Sequence, residues 1–264
     1  MKQRIVTGVV AGAVYLGLLL IGSYPFALLA AAIAVVAYFE TAHMKNLHRF
    51  SLPVVTGGLA VVIIVAAASF PVEETFSFII VRLAIVLALL LISMTVFSRN
   101  RFSFESAAYL FFSALYIAVP FYLLVRTRNE SLALILFIQI TMWATDSGAY
   151  FIGRQFGRHK LAAHISPNKT IEGSLGAIVS AFVTAAIIQW FCGKSLFSSW
   201  LPFVASVAVI SILGQLGDLA ESAVKRFYGV KDSGTILPGH GGLFDRFDSL
   251  IFILPVLYLL GLLG

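Results

Sequence analysis

Apolar runs of membrane-span length recur along nearly the whole chain, and this feature decides the fold class. A helix crossing the hydrocarbon layer needs about 20 mostly apolar residues, whereas a barrel strand needs about ten. Runs of the longer kind lie at 5–22, 24–39, 53–71, 77–97, 106–125, 131–153, 174–192, 200–220 and 249–263. Helices satisfy their own backbone groups in lipid, so runs of this length read as helices. The expected fold is an all-α integral membrane protein, a polytopic bundle of about nine transmembrane helices. Composition excludes the alternatives. Of 264 residues, 60% are hydrophobic and 11% charged, whereas a soluble domain carries about a quarter charged. A soluble enzyme, a secreted disulfide scaffold and a disordered chain all fail that test. The single cysteine, Cys192, excludes an internal disulfide and a cysteine-based metal cluster.

Lysine and arginine set the expected orientation. Met1 to Arg4 followed by an apolar run imitates a signal peptide, but no clear small-x-small cleavage site follows and eight more spans do, so a retained first helix is expected. With a cytoplasmic N-terminus and alternating spans, inner segments hold fourteen of the 18 Lys and Arg, from Lys2 and Arg4 to Lys231 and Arg246. Outer segments hold only Arg126, Arg128 and Lys194, and Arg82 falls inside a span. That asymmetry is the positive-inside pattern. The formal charge of +6 therefore reads as basic loops beside anionic headgroups, with no nucleic-acid partner. Two large cytoplasmic loops are expected, 154–173 and 221–248, and water-soluble chemistry belongs there.

The five aspartates, Asp146, Asp218, Asp232, Asp245 and Asp248, all lie in the C-terminal half. Glu40, Glu73, Glu74, Glu105 and Glu130 sit at span ends or in loops, where solvation is expected to explain them. The shift suggests a scaffold region over 1–128 and a catalytic region over 129–264. An ionisable group in lipid costs roughly 2.5–3.5 kcal/mol on insertion scales, so each needs a reason. Asp146 and Asp218 approach the cytoplasmic ends of the sixth and eighth spans. If the eighth helix continues past the membrane, Asp218, Ser222 and Lys225 share one face. Asp245 and Asp248, three apart, fall where the ninth helix begins.

Each has an ordinary structural reading too: Asp248 as an N-cap, Asp218 paired with Lys225 or Arg226, Asp146 as a hydrogen-bonded interior residue. Jointly, aspartates at span ends with Lys and Arg close by read as a site for a divalent cation and phosphate. Magnesium prefers carboxylate and phosphate oxygens. Gly239, Gly241 and Gly242 around His240 allow close backbone approach to an anion, although an ordinary turn explains the same composition. This loop has no Gly-Lys-Ser/Thr ending, so it is not a P-loop. The basic loop from Arg154 to Lys160 faces headgroups or binds substrate phosphate, and Lys169 near a helix start is placed to hold an anion. Small residues in 29–37 and 57–68 suit close helix packing.

Residues 222–248 carry Ser222-Ala-Val-Lys225-Arg226, Lys231-Asp232, Gly234, Leu237-Pro238, His240-Gly241-Gly242-Leu243 and Asp245-Arg246-Phe247-Asp248. This segment resembles the signature of the phosphatidate cytidylyltransferases, also called CDP-diacylglycerol synthases. Asp146-Ser-Gly-Ala-Tyr150 and Ser166-Pro-Asn-Lys-Thr170 with Glu172 and Gly173 are similar to further family segments, with Ile171 where that family usually has Trp. The likeness is strong over about 139–248 and compatible, as a multi-span scaffold, over 1–128. It implies transfer of CMP from CTP to phosphatidic acid, forming CDP-diacylglycerol and pyrophosphate with one or more magnesium ions. In that reading Asp218, Asp245 and Asp248 hold the metal. Lys225, Arg226, Lys231 and Lys169 neutralise phosphates, with Ser222 and Arg246 also among the substrate contacts. His240, Gly241 and Gly242 shape the phosphate pocket, and Asp146 supports the site. The reaction is expected on the cytoplasmic side of a multi-pass protein of the cell membrane, among membrane lipids, with a homodimer an open option. The rivals are a CTP-dependent polyprenol kinase and, in a different class, an ion or metabolite transporter using Asp146 and Asp218. A CDP-alcohol phosphotransferase is disfavoured, because the chain lacks Asp-Gly-x2-Ala-Arg.

Overall fold

Ten α-helices and one small β-hairpin make up the computed structural model, which describes residues 2–70, 75–192, 196–237, 239 and 241–263. The helices are α1 (Lys2–Ile21), α2 (Ser23–Met44), α3 (Leu52–Ala67), α4 (Thr75–Phe97), α5 (Phe104–Glu130), α6 (Leu132–Phe156), α7 (Ile171–Cys192), α8 (Trp200–Ala208), α9 (Gly214–Phe227) and α10 (Phe244–Leu259). A π-helical turn, Val209–Leu213, joins α8 to α9 without a break. Among the described residues, six helices are long and apolar enough to cross a membrane: Ser23–Met44, Ile80–Phe97, Phe104–Glu130, Leu132–Phe156, Ile171–Cys192 and the continuous Trp200–Phe227. Val6–Ile21 and Leu52–Ala67 are apolar but shorter. The protein is a helical, multi-pass membrane protein.

The chain divides into two compact units, Met1–Asn129 with Asp232–Arg246, and Glu130–Lys231 with Phe247–Gly264. In the first, α2 and α3 pack through small residues, as expected from their sequences: Ala30, Ala34 and Ala37 are buried, and the Tyr38 ring seats directly on Gly57. Helices α1 and α2 are parted by one residue, Gly22, whose φ of 72° demands glycine. Arg128 reaches back from α5 to the carbonyls ending α1, its Nη2 donating to Leu20 O at 2.8 Å and its Nε to Leu19 O at 2.5 Å. A side-chain cation at a helix C-terminus satisfies carbonyls that have no intrahelical donor.

In the second unit α6 and α7 approach so closely that only glycine fits at several contacts. A β-carbon on Gly176 would collide with Ile152, and one on Gly173 would lie 2.8 Å from Ala149 O and 3.0 Å from Gly153 Cα. This is small-residue packing of membrane helices, where backbone approach replaces the hydrophobic drive available in water. Two differences from the sequence expectation concern the loops. The 154–173 segment folds a hairpin, β1 (Lys160–Ala162) antiparallel to β2 (Ser166–Thr170), so the chain is not purely helical. The expected 221–248 loop is shorter, because α9 runs to Phe227 and α10 starts at Phe244. The eighth span thus continues as a helix to Phe227, the condition under which Asp218, Ser222 and Lys225 share one face.

Candidate active site

Helix α9 carries the polar segment Gly214-Gln-Leu-Gly-Asp-Leu-Ala-Glu-Ser-Ala-Val-Lys-Arg-Phe227. A π turn, Val209–Leu213, leads into it, and Gln215 just beyond bonds back onto that turn. The Gln215 Nε2 donates to Ser211 O at 2.8 Å and to Ser174 O of α7 at 3.4 Å. Single π turns inside longer helices are frequent at functional sites.

One turn further, carboxylates gather. Asp218, Glu221 and Asp248 each offer an oxygen, and the three oxygens lie within 4.8 Å of one another. Gly217 lets α10 come close enough: a β-carbon there would lie 2.7 Å from Phe252 Cβ, 3.1 Å from Asp248 O and 3.2 Å from Ser249 Cα. Cations surround the group. Lys169 Nζ, carried by β2, is 2.6 Å from Asp218 Oδ2, and Lys225 Nζ is 2.8 Å from Glu221 Oε2. Asp146 lies within electrostatic reach of Asp218 and Lys169, and Asp248 within reach of Asp218, Asp146 and Lys225. Three carboxylates this close repel one another at the reduced dielectric of a protein site. Their hard oxygen donors fit a small divalent cation, which binds through carboxylates and keeps positions for water and phosphate.

The sequence-based alternatives resolve differently for each residue. Asp218 pairs with Lys169, not with Lys225 or Arg226. Asp248 lies inside α10, which begins four residues earlier at Phe244, so it is not the N-cap. Ser222 stands on the Asp218 face, Oγ to Oδ1 3.4 Å, and Lys225 is committed to Glu221. Arg226 points outward and its Nη1 donates to Val230 O at 3.1 Å. Lys231 and Arg246 are exposed. Asp245 is not in the three-oxygen group. Its carboxylate accepts from the amides of Ser233, at 3.2 and 3.0 Å, and of Gly242, at 2.8 Å. Gly241 has a φ of 81°, and a β-carbon on it would come within 2.6 Å of Asp245 Oδ2. His240 lies outside the described residues.

Two glutamates were missed. Glu221 attracted no notice because a helix-borne Glu four residues before a Lys reads as a surface pair; it is 2% exposed. Its one signal was position, three residues after Asp218 on the same helix. Glu40 was expected to be solvated at a span end. That is corrected: it is buried in the first unit and hydrogen-bonded to residues some two hundred positions away. No pattern in one sequence reveals such a partner. Glu105 fits the expectation, being exposed and paired with Lys45 at 2.5 Å; Glu73 and Glu74 lie outside the described residues.

The cytidylyltransferase family model matches residues 2–263, virtually the whole chain. The chain belongs to the cytidylyltransferase family. It is 42% identical over 266 residues to the phosphatidate cytidylyltransferase of Bacillus subtilis, covering 98% of this chain and 97% of that one. It is 41% identical over 260 residues to the enzyme of the same name from Staphylococcus haemolyticus, covering 98% of each chain. The Staphylococcus aureus enzyme is 38% identical over the same length and coverage. Membership in this family fits the residues already described: acids for a cation, and lysines for the charge of a nucleotide triphosphate.

Proposed function

We propose that this protein transfers CMP from CTP to phosphatidic acid, giving CDP-diacylglycerol and pyrophosphate for phospholipid synthesis. The observation that carries the reading is the convergence of Asp218, Glu221 and Asp248, with Lys169 and Lys225 beside them, in a full-length member of the cytidylyltransferase family. The phosphate oxygen of phosphatidic acid attacks the α-phosphorus of CTP, and the bond to the β-phosphate breaks as pyrophosphate leaves. The nucleophile is already an anion, so no strong general base is required. Catalysis reduces to positioning and charge neutralisation.

Asp218, Glu221 and Asp248 hold magnesium in this account; when bound, it neutralises charge on the triphosphate and on the departing pyrophosphate. Lys169 stands on Asp218 and is placed to exchange that carboxylate for a phosphate oxygen. Lys225 orients Glu221, and Asp146 adds negative charge that holds Lys169 near. We assign Arg226, Lys231 and Arg246 to phosphate binding, and Ser222 to orienting Asp218. Gly241 and Gly242 follow His240, the histidine that the family resemblance places at the phosphate pocket, and Asp245 holds the Gly242 amide and so the shape of that glycine pair.

The same reading takes nine spans, with a cytoplasmic N-terminus and the reaction at the cytoplasmic face of the cell membrane, where CTP is found. Its support is the concentration of Lys and Arg in the inner segments. The region 1–128 then serves as scaffold and 129–264 as the catalytic part. A homodimer is compatible with this reading.

The test is product analysis. The purified chain in detergent, given phosphatidic acid, magnesium and CTP labelled in the cytidine, is expected to yield a labelled lipid and free pyrophosphate. Lipid labelled only from the γ-phosphate of CTP would show a kinase instead. No CTP-dependent lipid product would refute the reading.

A further inference from the structure

Glu40 is the most unusual acid that the cation site does not use. It lies near the end of α2, 8% exposed, where a charged carboxylate is unfavourable unless its oxygens are fully engaged. They are engaged by one segment. Oε1 accepts from the Leu243 amide at 3.0 Å, and Oε2 accepts from the Phe244 amide and the Ser233 hydroxyl, both at 2.9 Å. Leu243 and Phe244 stand at the start of α10, where unpaired amides and the helix dipole favour an anion. Two glycines make room for the carboxylate. A β-carbon on Gly234 would lie 2.5 Å from Glu40 Oε1, and one on Gly242 would collide with both Glu40 and Ser233 Oγ.

The contact is joined to a second one. Ser233 donates its hydroxyl to Glu40 and its amide to Asp245, while Gly242 packs its carbon on Glu40 and gives its amide to Asp245. Two carboxylates therefore hold Ser233 and residues 242–244 in place, and only Asp245 belongs to the same stretch of chain. A carboxylate suits this task because it accepts several bonds and donates none. Glutamine would turn an NH2 group toward a backbone N–H.

We propose that Glu40 is a positioning residue for cytidylyl transfer, acting through Ser233, Gly242, Leu243 and Phe244 on the glycine segment that the proposed function assigns to the phosphates of CTP. This rests on the proposed cytidylyltransferase reaction. Glu40 touches no substrate; it acts through the amides and glycines of the segment. A structural prop would affect both substrates alike, whereas Glu40 acts on the nucleotide.

The experiment compares wild type, Glu40→Gln and Ser233→Ala in detergent, titrating CTP at saturating phosphatidic acid and the converse, with thermal unfolding alongside. Glu40→Gln is expected to raise the KM for CTP by about tenfold or more, the scale of a lost hydrogen bond to a charged group. The KM for phosphatidic acid should stay within about twofold, and unfolding should remain a single transition. Ser233→Ala keeps the carboxylate and both amide bonds, so it folds even if Glu40→Gln does not. It is expected to raise the KM for CTP by about tenfold or more, the scale of one hydrogen bond to a carboxylate. Unchanged CTP dependence in Ser233→Ala, or an equal loss toward both substrates in Glu40→Gln, overturns the proposal. Wild-type protein that makes no cytidine-labelled lipid would instead refute the reaction itself.

Discussion

Replacing Gly217 by alanine adds one methyl group at the point where α9 meets α10. The added carbon would sit 2.7 Å from Phe252 Cβ, with Asp248 O at 3.1 Å and Ser249 Cα at 3.2 Å. Carbon pairs settle at about 3.5–4.0 Å, so the helices must part locally by roughly 1 Å. None of the three neighbours is the tip of a flexible side chain, so rotamer change gives no escape. Alanine gains about 0.5–1 kcal/mol over glycine in a helix, and overpacking costs about 1–3 kcal/mol. Net destabilisation should be small, roughly 0–2.5 kcal/mol. The functional effect should be larger. Asp218 and Asp248 flank that contact, and metal–ligand distances tolerate only about 0.2 Å. A displacement near 1 Å can cost about a hundredfold in rate. The assay is cytidine-labelled lipid formation against magnesium concentration, with thermal unfolding on the same sample. Gly217→Ala should unfold within a few degrees of wild type yet need far more magnesium and turn over about a hundredfold more slowly. Wild-type turnover at the wild-type magnesium midpoint would refute the reasoning that this glycine sets the carboxylate spacing.

Other outcomes follow from the same geometry. Lys225→Met removes the cation 2.8 Å from buried Glu221. Unfolding should drop by about 5–10 °C, and Glu221→Gln added to it should restore part of the loss. Asp245→Asn should slow transfer while leaving cation affinity unchanged, measured by manganese titration, because Asp245 serves the Ser233 and Gly242 amides. Lys169→Gln should lower kcat/KM for CTP by about tenfold or more, the loss of one charge-assisted bond. Chelation with EDTA should stop lipid labelling and added magnesium should restore it; activity that persists would remove the cation from the account.

The membrane class and the helical character were legible because span length and charge content are properties of composition over a window. Asp218 and Asp248 were legible because an acid near the end of a span demands a reason. The hairpin at 160–170 was not, since its alternation is short and its residues are mostly exposed, giving no periodic apolar signal. Glu40 and the α6–α7 glycine contact depend on partners brought together only by folding, which local pattern cannot supply. The π turn at Val209–Leu213 lies inside an unbroken apolar run, and nothing in its residues separates it from α-helix.

The central claim is that Asp218, Glu221 and Asp248 together hold the cation that cytidylyl transfer requires. Manganese, followed by electron paramagnetic resonance during titration of the purified protein, measures this directly. Wild type should bind manganese in a form that magnesium displaces, and Glu221→Gln and Asp248→Asn should each weaken that binding by about tenfold or more. Equal manganese affinity in wild type and both variants would contradict it.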